Sequence, residues 1–183
     1  MSIEKIPKEK FCIHCLTPIT KLTKDHVFPR SWYTDNTPPE IQRWTVPSCQ
    51  NCNEKFGKLE KELFIRLSLC IDPNKAEASG VNKKLLRTLG FGENISNKEK
   101  VIRKKKLENI LLEVRPYEGQ KPFPGLGLHE GYSPEMEKII PVPEQYLIPV
   151  LEKIFRGTEY ILGERYIKPP KLKYITYTKN QSK

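Results

Sequence analysis

Apolar residues recur every three or four positions in the segment that begins at Asn53, and this spacing predicts an amphipathic helix. The apolar positions are Phe56, Leu59, Leu63, Phe64, Leu67, Cys70 and Ile71. Asn53 has the short polar side chain of a helix N-cap, and the Asp-Pro-Asn sequence at 72–74 is expected to end the helix. Cys70 lies within the apolar run and is expected to be a small buried residue.

Shorter patterns predict β-strands on both sides of this helix. Residues 22–27 are β-permissive, and residues 43–46 are expected to form the partner strand. The segment 34–40 between them is rich in turn-forming residues and predicts a loop. Near the C-terminus, residues 171–177 alternate polar and apolar side chains as a strand does.

The remainder of the chain predicts a basic, mainly helical region. Residues 81–115 are expected to form one or two helices, broken at Gly90-Phe-Gly92. Residues 116–145 are rich in proline and glycine and predict a long loop. Residues 146–161 again have apolar positions at helical spacing, and they predict a further helix.

Composition narrows the class of protein and of partner. The chain has 183 residues, of which 37% are apolar, and 32 Lys and Arg against 22 Asp and Glu give a net charge of +10. This surplus favours a polyanionic partner such as nucleic acid. No apolar run approaches the roughly 20 residues that cross a bilayer, and the first residues lack the apolar core of a secretory signal. We therefore expect a cytoplasmic protein with no membrane partner, and no feature predicts its oligomeric state.

Four of the five cysteines form two matched Cys-x-x-Cys pairs, Cys12 with Cys15 and Cys49 with Cys52. Two such turns supply four thiolates, which is the ligand set of a closed, structural zinc site. His14 lies inside the first pair and could replace one cysteine as a ligand. The alternative is one chance pair and one redox pair, although neither pair lies in a thioredoxin-like βαβ pattern.

The residues around these pairs carry a resemblance to a known family. Lys24-Asp-His-Val-Phe-Pro29 lies between the pairs, and the second pair is part of Val46-Pro-Ser-Cys-Gln-Asn-Cys-Asn53. This order resembles the HNH-type, or ββα-metal, endonucleases that have a four-cysteine zinc site. The matched residues are Cys12, Cys15, Asp25, His26, Pro29, Cys49, Cys52, Asn53 and Lys55. The likeness covers about residues 10–66, and residues 153–157 loosely resemble the end of some bacterial members, where they have no assigned role.

The resemblance implies a zinc-stapled ββα-metal core, and with the mainly helical, basic C-terminal extension that the residue patterns predict, the expected fold is α+β. Resemblance and patterns together divide the chain into a flexible N-terminus (1–10), an HNH nuclease domain with the zinc site (11–70), and the extension (71–183). The extension then includes the loop-rich segment 116–145 and the C-terminal strand.

The resemblance also implies a metal-dependent endonuclease that hydrolyses phosphodiester bonds. His26 would be the general base, a role that suits an imidazole whose unperturbed pKa is about 6.5. Asp25 and Asn53 would bind the catalytic Mg²⁺ or Mn²⁺, since hard cations prefer oxygen ligands. DNA is favoured over RNA by family habit alone. The plainer interpretation of His26 is a core or surface histidine. Asp25 could instead be a turn acid paired with Lys24 or Arg30, and Asn53 a helix cap.

One position departs from the family pattern. Nine residues before Asn53 the family usually has an asparagine that orients the base histidine, whereas this chain has Trp44, whose indole cannot accept a hydrogen bond. Asn36, Asn51 or a backbone carbonyl could substitute for it. Glu60 lies about two helical turns after Asn53 and is either an additional metal ligand or a solvated acid.

Several basic and aromatic residues are candidates for nucleic-acid contacts. The basic candidates are Arg30, Lys55, Lys58, Arg103, Lys104, Lys105 and Lys106. The last four belong to a run at 98–106 whose alternative role is a solvated helix face. Trp32 and Tyr33 could stack on a base, although core packing is the expected role of Trp32.

Two other function classes remain open from the sequence. The first is a non-catalytic, zinc-containing nucleic-acid-binding module, a degenerate HNH domain, which Trp44 favours. The second is a degenerate nuclease domain that serves as a protein-interaction scaffold. His129 has no visible partners in the sequence and is interpreted as a surface residue.

Overall fold

The computed structural model describes residues 11–19, 21, 23–71, 79–91, 95–116 and 138–167. The expectations for the N-terminus at 1–10, for His129 and for a strand at 171–177 lie outside these residues, as does most of the predicted loop at 116–145. Statements below concern the described part of the chain.

The two strands predicted around the 34–40 loop form an antiparallel hairpin. Strand β1 is Thr23–His26 and strand β2 is Thr45–Ser48. In their register Asp25 lies opposite Val46 and both side chains are buried, so this face of the hairpin is covered by protein. Strand β2 is two residues later in the chain than predicted.

Helix α1 (Gln50–Leu69) begins directly after the hairpin. Its N-cap is Cys49, whose Sγ accepts a hydrogen bond from the backbone N–H of Cys52 at 3.4 Å. The predicted N-cap at Asn53 is therefore wrong, and Asn53 lies in the first helical turn. The spacing of apolar residues does not indicate this start. The second cysteine pair occupies the cap and the first turn, so no other apolar side chain marks the buried face there.

At the other end of α1 the prediction of a buried Cys70 is also wrong. Cys70 is the C-cap residue, and its side chain is exposed. Its Sγ donates a hydrogen bond to the carbonyl oxygen of Arg66 at 3.4 Å. The last buried residue of the helix is Ser68, so the covered face ends before Cys70 is reached.

The other predicted helices form, and a second small sheet joins them. These elements are α2 (Ser79–Leu89), α3 (Asn97–Leu112), β3 (Arg115–Pro116), β4 (Lys138–Ile139) and α4 (Glu144–Leu162). The break between α2 and α3 follows Gly90, whose φ of +94° favours glycine because a Cβ would be strained there. A hydrophobic core joins α1, α2 and α3, and its buried residues are Phe64, Ile65, Leu85, Leu89 and Ile110.

Helix α4 packs against the first part of the molecule. A second hydrophobic core contains Ile13, Val27 and Val46, and Ile154 of α4 packs on it. Gly157 of α4 approaches the chain just after β1 so closely that an added Cβ would lie 2.8 Å from a methyl carbon of Val27. The residues of α4 therefore reach the interior of the region that carries the sequence motifs.

The described elements make a mixed α+β fold with four helices and small antiparallel sheets, which confirms the predicted class in this general form. Within the described ranges, no helix combines the length and the apolar character that a bilayer span requires.

Candidate metal centre and active site

The four cysteines of the two Cys-x-x-Cys pairs come together at the start of α1. The Sγ atoms of Cys12, Cys15, Cys49 and Cys52 all lie within 4.8 Å of one another. The sulfurs of Cys15 and Cys49 are 3.9 Å apart. Tetrahedral zinc with Zn–S bonds of about 2.3 Å separates its sulfurs by about 3.8 Å, so the cluster can hold a zinc ion.

The thiols of this cluster differ in their tendency to ionise. Burial raises the pKa of Cys15, but hydrogen bonds with the side chain and backbone of Thr17 outweigh burial and lower it to about 7. Burial, together with the neighbouring thiols, raises the pKa of Cys52. Since thiolates this close repel one another, a divalent cation between them would favour their ionised forms.

A buried ionic cluster lies on the inner face of β1. Asp25 is 5% exposed, and its Oδ2 accepts a hydrogen bond from Nε2 of His14 at 3.0 Å. Its Oδ1 lies 2.9 Å from Nζ of Lys153, which is fully buried. Nζ of Lys153 also donates to Oε1 of Glu60. We name Asp25, His14, Lys153 and Glu60 the acidic cluster.

The charge of the acidic cluster follows from its burial. Burial lowers the pKa of His14, although its hydrogen bond with Asp25 opposes this effect, and the imidazole is neutral at neutral pH. Burial raises the pKa of Glu60, and Lys153 opposes that shift. In both groups burial favours the neutral form, and Lys153 supplies the positive charge that opposes this effect at Glu60.

The acidic cluster changes the interpretation of several sequence motifs. Asp25 is not a turn acid paired with Lys24 or Arg30, because it lies in β1 and pairs with other residues. His14 points to Asp25, although the sequence offered it as a replacement for a cysteine ligand. Glu60 is 9% exposed and is not a solvated helix acid.

His26 ends β1 and is half-buried. Burial lowers its pKa, and the positive charge of Arg30, the first residue of a short 3-10 helix (Arg30–Trp32), lowers it further. A lowered pKa keeps the imidazole neutral at neutral pH, and this is the form that accepts a proton. The ring centroid of His26 lies 6.5 Å from that of Tyr33.

No described residue orients the His26 imidazole through Nδ1. This atom is buried and has no hydrogen-bond partner within the described ranges, so neither Asn36 nor Asn51 bonds to it. Trp44 is half-buried against the hydrophobic core that contains Val27. Its backbone carbonyl accepts the N–H of Val27 at 2.9 Å.

Asn53 connects the first turn of α1 to β1. Its Nδ2 donates to Oγ1 of Thr23 and to the carbonyl oxygen of Lys24, each at 3.4 Å. These two residues immediately precede Asp25 and His26 in the strand. An amide that donates through Nδ2 retains its Oδ1 as an acceptor.

Two of the predicted nucleic-acid contacts are engaged within the protein. The guanidinium of Arg103 donates to the carbonyl oxygens of Arg87 at 2.9 Å and Thr88 at 3.2 Å, which connects α3 to the end of α2. Lys106 pairs with Glu62, which connects α3 to α1. Both residues thus have a structural role in helix packing.

The other predicted contacts are exposed. Lys104 pairs only loosely with Glu108, at 3.8 Å, and its side chain is 78% exposed. The remaining exposed residues are Arg30, Lys55, Lys58 and Lys105. Trp32 is also exposed, at 36%, so the expectation of core packing for this residue is wrong. It lies at the end of the 3-10 helix and contributes to the lining of a surface groove.

Sequence reasoning missed the role of Lys153. It lies 93 positions after Glu60, and an isolated lysine in an amphipathic helix carries no local sign of burial. The only available signal was the loose family resemblance of residues 153–157, in which Lys153, Arg156 and Gly157 prove to be buried. Within this segment Lys153 contacts Asp25, and Gly157 lies against Val27.

Comparisons of the chain with protein-family models, with curated proteins and with solved structures found no match. Function is therefore inferred from the residues and geometry of the site.

Proposed function

We propose that this protein is a metal-dependent endonuclease that hydrolyses phosphodiester bonds in nucleic acid, with DNA the favoured substrate. The supporting observation is the meeting of the hairpin and α1 beside the cysteine cluster. Asn53 contacts the two residues of β1 that precede Asp25 and His26. This arrangement agrees with a ββα-metal core in which zinc holds together the ends of a hairpin and a helix.

In this proposal His26 is the general base. Its lowered pKa leaves the imidazole neutral, so it can accept a proton from the attacking water at neutral pH. Arg30 beside it supplies positive charge, which attracts a phosphate group and disfavours the protonated imidazole.

The proposed catalytic ion is Mg²⁺ or Mn²⁺, with Asp25 and Asn53 as its protein ligands. Each Asp25 oxygen has one partner and keeps a second acceptor position, and the amide of Asn53 offers Oδ1. When bound, such an ion would stabilise the negative charge that develops on the phosphate and on the leaving oxygen. His14 and Lys153 fix the orientation of the Asp25 carboxylate in the protein itself.

Exposed lysines on α1 complete the proposed site. Lys55 and Lys58 lie one and two turns from the start of the helix and are free to approach phosphate oxygens from solvent. Contacts of this kind bind nucleic acid regardless of sequence and weaken as salt concentration rises.

The test is the nicking of supercoiled plasmid by the zinc-loaded protein with Mg²⁺, with Mn²⁺ and without either ion. We expect His26→Ala to lower the nicking rate by on the order of 10²- to 10⁴-fold, the usual contribution of a general base. His129→Ala, the same substitution outside residues 11–70, serves as the matched control. Equal nicking by wild type and His26→Ala, at equal zinc content, would remove His26 from the mechanism.

A second candidate function is a non-catalytic zinc-containing module that binds nucleic acid. It is favoured by Trp44, which packs against a core at the position where the family usually has an orienting asparagine. It is also favoured by Nδ1 of His26, which has no hydrogen-bond partner among the described residues. This candidate predicts salt-dependent binding that persists without Mg²⁺ and no cleavage of single- or double-stranded DNA or RNA.

A further inference from the structure

Both tryptophans of the chain line one surface groove, and this groove lies beside His26. The groove has a volume of about 470 Å³ and is lined by Phe28, Trp32, Tyr33, Ile41, Gln42 and Trp44. Among the described residues its walls are open to solvent, since Phe28 is 38% and Ile41 46% exposed. An exposed group of aromatic rings on one surface generally marks a binding site.

The local chain path explains why these rings are exposed together. After β1 the chain turns at buried Pro29 into the 3-10 helix, which places Trp32 on the outer surface. The returning segment brings Ile41 beside it before β2 begins. Trp32 is thus held by the 3-10 helix, and the other rings belong to the chain segments next to the hairpin.

Two cations lie beside Tyr33, one of the residues that line the groove. The guanidinium of Arg43 lies 5.2 Å from the centroid of the Tyr33 ring. Nζ of Lys84 donates to the backbone carbonyls of Tyr33 at 2.6 Å and Arg30 at 3.2 Å. Asp35, in the loop between β1 and β2, forms an ion pair with Arg87 at 2.9 Å. Arg43 and Lys84 therefore place positive charge beside Tyr33, while the exposed acid Glu40 precedes Ile41 on the opposite stretch of the lining.

We propose that this groove binds an unpaired base of a nucleic-acid strand whose backbone passes His26. Aromatic walls beside the cations Arg43 and Lys84 match the base and the phosphate of a nucleotide, whereas an apolar protein segment carries no counter-charge for these cations. Tyr33 connects the two functions, because its ring neighbours both His26 and the groove. The inference deepens the proposed function, and it assigns to the enzyme a preference for substrates with unpaired bases.

Intrinsic fluorescence tests this proposal directly. Because Trp32 and Trp44 are the two tryptophans of the chain, tryptophan emission, excited at a wavelength that tyrosine does not absorb, reports on the groove. The full-length zinc-loaded protein, without Mg²⁺, is titrated with a 15-nucleotide oligothymidylate and with an abasic strand of equal length and charge. We expect oligothymidylate to quench the emission and to bind about 5- to 150-fold more tightly than the abasic strand, as stacking of one base predicts.

Three variants separate stacking from folding and from charge. Trp32→Ala should remove the preference for bases, and Trp32→Phe should keep it because an aromatic face remains. Phe91→Ala is the matched control, since Phe91 is 70% exposed and does not line the groove. Equal affinity of wild type for both strands would overturn the proposal.

The remaining outcomes are also decisive. Emission that neither oligothymidylate nor acrylamide quenches would mean that another segment of the chain fills the groove, and this would overturn the proposal. Loss of base preference in Trp32→Ala, at the zinc content and melting temperature of the wild type, supports the groove as the base site. Base preference without any nicking keeps the groove proposal and refutes the proposed nuclease activity.

Discussion

The substitution Lys153→Met tests whether the acidic cluster joins α4 to the hairpin. Methionine keeps an unbranched apolar side chain of similar length but removes the ammonium group. In the wild type this fully buried group lies 2.9 Å from Oδ1 of Asp25 and donates to Glu60. After the substitution two buried carboxyl groups face each other with no positive charge between them.

The expected loss of stability follows from the burial of both partners. Removing one member of a buried ion pair typically costs about 3–5 kcal/mol, because the remaining charge stays desolvated. Asp25 is 5% and Glu60 9% exposed, so water cannot replace the lost ammonium without opening the site. We therefore expect the free energy of unfolding of Lys153→Met to fall by about 3–5 kcal/mol.

Urea unfolding followed by far-UV circular dichroism, at saturating zinc, measures this change. Lys104→Met is the matched control, because the Lys104 side chain is 78% exposed and its partner is 3.8 Å away, and it should change stability by less than about 1 kcal/mol. The double variant Lys153→Met/Glu60→Gln should recover part of the loss, since one unpaired charge is gone. A Lys153→Met protein within about 1 kcal/mol of wild type would refute the buried ion pair.

Two further predictions concern the metal centre and the packing of α4. Cys49→Ser, or removal of zinc, should unfold residues 11–70 and abolish their melting transition, while Cys70→Ser, at an exposed cysteine, should leave zinc content and melting unchanged. A metal-free protein with an unaltered melting curve would contradict a structural zinc site. Gly157→Ala should cost about 1–3 kcal/mol, because the added Cβ would meet Val27 at 2.8 Å. Gly57→Ala is the control in another helix interior, where nothing lies within 4 Å, and it should raise stability by about 1 kcal/mol in the same urea assay. Destabilisation by both alanines alike would count against the close approach of α4.

Local patterns in the sequence determined much of the fold. The spacing of Cys12, Cys15, Cys49 and Cys52 predicted a single cluster, and the four sulfurs do lie together. The hairpin, α1 and α4 were also predictable, because strand alternation and helical spacing record within a short window which side of an element is buried. The ends of the elements are less predictable. The sequence pattern starts α1 at Asn53, whereas the helix begins after Cys49, because cysteine is an unusual N-cap residue.

The partners of buried groups depended on the tertiary structure alone. Lys153 and Asp25 belong to distant parts of the chain, and a lysine becomes a buried counter-ion only when α4 packs on the hairpin. The exposure of Trp32 and Cys70 likewise depends on which helix faces are covered by other elements. A short stretch of sequence does not contain this information. The order of residues therefore specified the elements and the thiol cluster, whereas packing between remote elements decided which charges meet and which rings face solvent.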